Sequence, residues 1–211
     1  MTPGHDTAVA RLFDAIAQLW HRDSAALGLP MLAKAAAGLD GVAARPTILP
    51  QPSAALPVLR HLDSAVAAAQ AGPLRDVAAA IADAVPLCRW RQNPNYVSDP
   101  ALHEFLARYG YAEFAGRDAF VESSDLLAGV MLLGPRAHYP SHHHPAEEVY
   151  HVLAGTAQWQ RGDEAWVLRP PGSVIHHRPH VPHATRTMDE PLLVLYCWSG
   201  AVGTAARLTA K

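Results

Sequence analysis

The chain has 211 residues, half of them hydrophobic and 17% charged, which is the composition of a globular protein large enough to bury its own core. Its formal charge of −2 leaves no excess of basic residues, so we expect neither nucleic acid nor a membrane surface as a partner. Only two cysteines and a charged N-terminus predict a cytoplasmic protein. Histidine is unusual, because nine of the 13 histidines lie between His138 and His183.

The N-terminal half of the chain predicts helices. Apolar residues recur there at spacings of three and four, which is typical of helices packed on one side. The predicted helical segments are 9–20, 58–66, 74–85 and 102–109. A proline-rich connector, 46–57, separates the first two. Asp99-Pro100 predicts the start of the last helix and Gly110 its end. We therefore expect residues 1–115 to form a helical N-terminal region.

From about residue 120 the pattern changes to short runs rich in β-branched, aromatic and leucine residues. The predicted strands are Leu126–Leu133, Glu147–Leu153, Ala157–Arg161, Glu164–Arg169, Ser173–His176 and Leu192–Trp198. Gly162-Asp163 predicts a two-residue hairpin turn. Many short strands at close spacing favour a sandwich or barrel. The predicted fold class is therefore α+β, with a β-barrel over residues 116–211.

The histidine-rich segment has the spacing of a metal site. Four side chains that can bind metal or protons share even positions, namely His142, His144, Glu148 and Tyr150. Alternate side chains of a strand point to the same face, so these groups would meet in one space. Imidazole nitrogens and a carboxylate oxygen suit one divalent transition metal such as zinc, iron, manganese, nickel or cobalt. The alternative is a solvated polar loop, which the in-phase spacing disfavours.

A further ligand is expected from the histidines that follow Pro171-Gly172. The candidates are His176, His177, His180 and His183. His183 is favoured because a proline-bounded turn delivers it to the start of a strand. The other three fit an exposed polar strand or loop equally well.

These two segments resemble the two motifs of the cupin family. The first motif has the form His-x-His, three or four residues, Glu, six residues, Gly, and it matches His142, His144, Glu148 and Gly155. The second motif matches in part, because the segment ending at His183 is one residue shorter than the cupin pattern and lacks its glycine. The resemblance implies a small β-barrel with a metal in its mouth.

A narrower resemblance covers most of the chain from residue 88. The string from His138 to Gly155 and the upstream string Cys88–Tyr96 are similar to the cupin-type dimethylsulfoniopropionate (DMSP) lyases of marine bacteria. This resemblance implies metal-dependent β-elimination of DMSP, a sulfonium carboxylate, to acrylate and dimethyl sulfide. The metal ligands that it implies are His144, Glu148, Tyr150 and His183. The residues that it implies near the substrate are Tyr139, His142 and Trp198.

A tyrosine is the expected general base of such an elimination. An ordinary phenol has a pKa of about 10, which is too high for a base at neutral pH, but a nearby divalent cation favours the phenolate. Tyr150 is the first choice, as ligand and base together. Tyr139 is the second, with His142 as its hydrogen-bond partner or as an alternative base. Trp198 offers an aromatic face to the sulfonium.

Other functions fit the same residues. A cupin dioxygenase or isomerase would bind its metal through His142, His144, Glu148 and His183 with Tyr150 as a bystander, and an oxygen requirement would identify the dioxygenase. A lyase-like enzyme would act on a different substrate, because folds and metal sites are reused. A non-enzymatic cupin would bind a sugar or another small molecule without turnover. In each case we expect a small-molecule ligand and a monomer or homodimer.

Overall fold

The computed structural model describes residues 3–40, 55–117 and 119–209, in which a helical region leads into two antiparallel sheets. The helices are α1 Pro3–Leu27, α2 Pro30–Leu39, α3 Leu62–Gln70, α4 Arg75–Ala84, α5 Pro94–Val97 and α6 His103–Leu106. The strands are β1 Trp90–Arg91, β2 Tyr109–Ala115, β3 Leu126–Leu133, β4 His138–His143, β5 Glu147–Ala154, β6 Ala157–Arg161, β7 Val167–Arg169, β8 Val174–His177, β9 His183–Thr187, β10 Leu192–Ser199 and β11 Arg207–Leu208. None of the helices in these ranges is long and apolar enough to cross a membrane.

The strands form two sheets that enclose a common interior. Within the described residues, one sheet has the order β1-β2-β3-β10-β5-β8 and the other β11-β4-β9-β6-β7. Neighbouring strands in both sheets run antiparallel. This is the double-stranded β-helix of the cupin fold, preceded by a helical region. The predicted α+β fold class is therefore confirmed.

The larger sheet is buried on both faces, which explains the nearly continuous hydrophobic sequence of β3. Val130 and Leu132 pack with the helices in one apolar cluster. Met131 and Leu133 point the other way, into a second cluster between the sheets. Alternate side chains of a strand point to opposite faces, so each face of β3 has its own apolar set. The inner cluster surrounds the candidate site.

The apolar stripe of α1 packs the helical region onto the outer face of this sheet. The residues of the predicted stripe are fully buried, namely Val9, Leu12, Phe13, Ile16 and Trp20. They share one core with outward-facing side chains of β3, β5 and β10. Burying a large apolar side chain contributes about 1.5–3 kcal/mol, so this stripe is the main attachment of α1.

Two predicted local structures differ in the fold. The helix predicted over 102–109 ends at Leu106, and Tyr109 opens strand β2. Pairing of β2 with β3 satisfies the backbone there and overrides the helical pattern. The predicted turn at Gly162-Asp163 is present, since the Glu164 N–H donates to the Arg161 carbonyl at 3.0 Å, but the connection from β6 to β7 is longer than these two residues. The predicted connector 46–57 lies mostly outside the described residues.

The predicted boundary at residue 115, between the helical region and the barrel, stays a prediction. Strands β1 and β2 lie before it, yet both join the six-stranded sheet. We propose a boundary at residue 115 between a helical region, whose described residues pack on the outer face of the larger sheet, and the barrel, with β1 and β2 joining the two.

A buried polar contact also ties α1 to the barrel. His151 on β5 is fully buried, and its Nε2 lies 3.0 Å from Asp23 Oδ2 on α1. Partial burial acts to raise the pKa of Asp23, but the hydrogen bonds from His151 and Arg22 outweigh it and lower that pKa below its ordinary value. Asp23 is therefore ionised at neutral pH and fixes the orientation of α1 on the sheet.

Replacing Asp23 by alanine is expected to lower the free energy of unfolding by about 1–3 kcal/mol, because the buried His151 ring loses its partner. Urea unfolding at pH 7 measures this, with Asp14→Ala as the control, since Asp14 is exposed on the same helix. A carboxylate with a lowered pKa stabilises the fold above its unfolded-state pKa, near 3.9, and that stability is lost as the pH falls through the folded-state value. The difference from wild type should therefore shrink below about pH 4. Equal stability of Asp23→Ala and wild type at pH 7 would contradict this role.

Candidate metal centre and the adjoining cavity

Three candidate ligands converge inside the barrel. His144 follows the last residue of β4, Glu148 is the second residue of β5, and His183 is the first residue of β9. Glu148 Oε2 lies 3.0 Å from His144 Nε2 and 3.2 Å from His183 Nε2. One ligand atom from each residue lies within 4.8 Å of the other two, and all three side chains are buried. Among the described residues, these three form the group of His, Cys, Asp and Glu side chains that lie close enough together to share a metal ion.

Backbone hydrogen bonds orient both imidazoles toward this point. Nδ1 of His144 lies 3.0 Å from the Ala146 carbonyl, and Nδ1 of His183 lies 2.9 Å from the Val181 carbonyl. A carbonyl oxygen only accepts, so Nδ1 carries the proton of each neutral ring and Nε2 presents its lone pair. Two lone pairs therefore face the same carboxylate oxygen, and a cation is needed between them. The donor set fits a divalent metal for this reason.

The electrostatics of Glu148 agree with a cation site. Burial alone would raise the pKa of Glu148, but positive charge at the adjacent His144 and His183 holds it well below its ordinary value, and a metal ion between these residues would act in the same direction. Its other oxygen, Oε1, accepts a hydrogen bond from Trp198 Nε1. The carboxylate is thus ionised and fixed from both sides. His183 Nε2 has no hydrogen-bond partner among the described residues, although it is buried.

The remaining candidate histidines take other positions. His142 is buried outside the group of three, with its ring stacked on Tyr139 at 3.8 Å between centroids. Burial and the neighbouring His183 lower the pKa of His142 well below its usual value, so this ring is neutral. His177 stacks on His183 at 3.9 Å, and burial lowers its pKa to about 2. His176 pairs with Glu147 on the outer side, and His180 is exposed in a turn.

The predicted tyrosines and tryptophan line a cavity next to the ligands. Tyr139, Tyr150 and Trp198 contribute to its wall together with Glu148. Burial and the charge of Glu148 raise the pKa of Tyr150 well above its ordinary value. Burial likewise raises the pKa of Tyr139. Without a cation beside them, both phenols are therefore protonated at neutral pH.

The cavity has a volume of about 220 Å³ and extends from Glu148 toward the first strands of the larger sheet. The wall residues that the sequence analysis did not assign to the site include Arg91, Tyr109, Tyr111, Glu113 and Tyr196. The alternation Tyr109, Tyr111, Glu113 is a strand pattern that identifies three of them, once β2 is recognised as a strand. Tyr196 has the same parity as Trp198 and hence faces the same side. Arg91 lies in the string Cys88–Tyr96 that carries the narrower resemblance, but no pattern in the sequence assigns it to the cavity.

Comparison with known proteins places this site in a family. A family model described as dimethylsulfoniopropionate lyase matches residues 33–194. The dimethylsulfoniopropionate lyase DddQ of Ruegeria pomeroyi DSS-3 is 38% identical over 107 residues, which cover 50% of this chain and 53% of that protein. The alignment thus spans about half the length of this curated relative.

Two solved structures extend the similarity to the whole chain. The crystal structure of DMSP lyase DddQ from Ruegeria pomeroyi DSS-3 is 28% identical with a TM-score of 0.62, covering 93% of this chain and 97% of that one. A chain from the crystal structures of the DMSP lyases RdDddP and RnDddQII is 27% identical with a TM-score of 0.68, covering 97% and 98%. Because the family model also matches well over half of the 211 residues, the chain belongs to the DMSP lyase family.

Proposed function

We propose that the protein is a metal-dependent lyase that eliminates dimethyl sulfide from DMSP and leaves acrylate. The observation that carries this proposal is the convergence of His144, Glu148 and His183 beside a cavity lined by phenols. Membership of the DMSP lyase family supports the substrate. We also propose that the enzyme is cytoplasmic and a monomer or homodimer.

We assign one divalent transition metal to His144, Glu148 and His183, with Tyr150 as a fourth ligand. Zinc, iron, manganese, nickel and cobalt all suit this donor set. When bound, the metal supplies a Lewis acid for the substrate carboxylate and stabilises negative charge on a nearby phenol. Glu148 keeps its position through the Trp198 hydrogen bond, which would hold the ligand geometry constant during turnover.

Tyr150 is the proposed general base, acting as phenolate. Its oxygen takes the proton from the carbon next to the substrate carboxylate. The electron pair of that C–H bond forms the double bond of acrylate, and the C–S bond breaks with its electrons on sulfur. The sulfonium thereby leaves as neutral dimethyl sulfide, and no oxidant or reductant is needed. The proton on Tyr150 returns to solvent before the next turnover.

We propose that Tyr139 and His142 also take part in catalysis. Their stacked rings lie beside the ligand group, and Tyr139 is the alternative base. The Tyr139 hydroxyl also lies 3.4 Å from the Tyr96 hydroxyl, so it has a fixed direction in the wall of the cavity. We propose that Tyr139 and Trp198 contact the substrate.

Product analysis without oxygen tests the reaction class. Purified protein incubated with DMSP under nitrogen is expected to form acrylate and dimethyl sulfide in equal amounts, because elimination changes no oxidation state. Liquid chromatography of acrylate and gas chromatography of dimethyl sulfide give the two quantities. A requirement for oxygen, or dimethyl sulfide without acrylate, would contradict the proposal and favour a cupin oxygenase.

A further inference from the structure

The cavity has a second charged group at the end opposite the ligand cluster. Glu113 on β2 and Arg91 on β1 line its wall and form an ion pair there. Their side chains are only 10% and 24% exposed, so the pair is shielded from solvent. A partly buried charge keeps more of its electrostatic effect than a surface one.

Strand register places Glu113 in one row with the proposed base. Glu113 pairs with Gly129 on β3, Gly129 pairs with Tyr196 on β10, and Tyr196 pairs with Tyr150 on β5. Three strand spacings of about 4.8 Å therefore separate the backbones at the two ends of the row. Side chains on one face of a curved sheet converge, so Glu113 and Tyr150 face one small space from opposite sides.

Gly129 makes room for Tyr196 in this row. A Cβ on Gly129 would lie 2.1 Å from the Ala112 carbonyl oxygen and 2.9 Å from the Tyr196 hydroxyl. The phenol of Tyr196 therefore lies over the glycine and next to the backbone of Glu113. The missing side chain lets an aromatic ring reach the end of the cavity that contains Glu113.

The end of the cavity that contains Glu113 is lined by neutral aromatic rings. Burial and then the charge of Glu113 raise the pKa of Tyr111 to about 12, and burial followed by the same charge raises that of Tyr196. Both phenols are therefore uncharged at neutral pH. Arg91 lies 5.6 Å from the centroid of the Tyr111 ring and also donates to the Arg117 carbonyl at 3.2 Å. These contacts hold Arg91 against the wall of the cavity, where its guanidinium offsets part of the charge of Glu113.

Trp198 belongs to the other end. Its ring stacks on His144 at 3.9 Å between centroids, and its Nε1 donates to Glu148. One face of the indole is therefore already covered by a candidate ligand. The cavity thus has a cation-binding end around Glu148 and a separate aromatic end, where the Glu113 carboxylate is paired with Arg91 and the wall also includes Arg117.

We propose that Glu113, with the ring face of Tyr196, binds the sulfonium group of the substrate. This inference rests on the proposed function. DMSP carries its carboxylate and its sulfonium at opposite ends. The candidate metal centre would bind the carboxylate, and the Glu113 carboxylate offers a negative group to the sulfonium. A sulfonium with two methyl groups is a soft cation, and aromatic faces beside a carboxylate bind such cations. Glu113 is thereby the residue that selects a charged sulfonium over a neutral group of the same shape.

Three metal-loaded variants test this proposal, namely Glu113→Gln, Arg91→Met and the double variant. The measurements are KM and kcat for DMSP, and the inhibition constant of isocaproate, in which a neutral carbon replaces the sulfonium. Glu113→Gln should raise KM for DMSP about tenfold or more while the inhibition constant of isocaproate stays unchanged. Arg91→Met keeps the carboxylate and should not raise KM. Glu122→Gln, an exposed site with the same change of charge, is the control.

The double variant separates a specific carboxylate from net charge. It has the net charge of wild type, but we expect it to share the raised KM of Glu113→Gln. It also serves if Glu113→Gln alone does not fold because Arg91 loses its partner. A wild-type KM in the double variant would overturn the proposal. Weaker binding of both DMSP and isocaproate to Arg91→Met would also overturn it, because it would place the substrate carboxylate at Arg91.

The outcomes separate this inference from the proposed function. If the wild-type protein releases no dimethyl sulfide, the proposed function fails and this inference fails with it. If wild type releases dimethyl sulfide and Glu113→Gln keeps the wild-type KM, only the inference about the sulfonium fails.

Discussion

Replacing His144 by alanine is expected to remove the bound metal and to lower DMSP cleavage by more than about 100-fold, because losing a ligand costs more than losing a residue that only orients one. Glu148→Gln should have a similar effect, since the carboxylate supplies the negative charge between the two imidazoles. Plasma mass spectrometry of the purified variants measures the metal per chain, and headspace gas chromatography measures the activity.

Neighbouring residues of the same type provide matched controls. His143 and Glu147 stand next to the two ligands but on the opposite face of the strands, and Glu147 pairs with His176 there. His143→Ala and Glu147→Gln should keep metal and activity. Full metal content in His144→Ala, or equal losses in the variants and their controls, would contradict the ligand assignment.

Replacing Tyr150 by phenylalanine is expected to lower kcat about 10²–10⁴-fold, which is the usual contribution of a general base. The ring stays in the inner apolar cluster, so folding should be preserved. His144, Glu148 and His183 remain, so the variant should still bind metal. Single-turnover kinetics with the metal-loaded variant measures the effect on the chemical step.

Tyr139→Phe distinguishes the two candidate bases. It should affect KM more than kcat, because Tyr139 is proposed to contact the substrate rather than to take its proton in the preferred mechanism. If Tyr139→Phe abolishes turnover and Tyr150→Phe does not, the base is Tyr139. Near wild-type kcat in both variants would contradict a tyrosine base altogether.

Local periodicity predicted the part of the site that lies on one regular strand. The even spacing of Glu148 and Tyr150 places both on the inner face of β5, and the odd-numbered His151 points outward to α1. His183 also lies at the start of a strand, as its proline-bounded turn predicted. These features follow from the period of two, which depends on the sequence alone.

The position of Tyr139 depends on an irregularity that periodicity does not reveal. Tyr139 and His142 differ in parity, so a regular strand would place them on opposite faces. The pairing of β4 with β9 shifts register between these two residues. Such a bulge turns both side chains to the same face, and their rings stack.

The end of the cavity that contains Arg91 and Glu113 depends on contacts between distant parts of the chain. Arg91 and Glu113 meet because β1 pairs with β2, and both strands lie in the region 1–115 that the sequence predicted to be helical as a whole. Only the pairing of β2 with β3 turns Tyr109–Ala115 into a strand and brings Glu113 to the barrel interior. Tyr109 fits both the predicted helix and the observed strand, and tertiary pairing decides between them.

Headspace gas chromatography of the wild-type protein with DMSP tests the central claim most directly. The protein would be assayed as purified, after treatment with a chelator, and after reloading with zinc, iron, manganese, nickel or cobalt. We predict that dimethyl sulfide is released, that chelation abolishes the release, and that at least one of these metals restores it. Release that survives complete removal of metal, or no release with any of the five metals, would contradict a metal-dependent DMSP lyase.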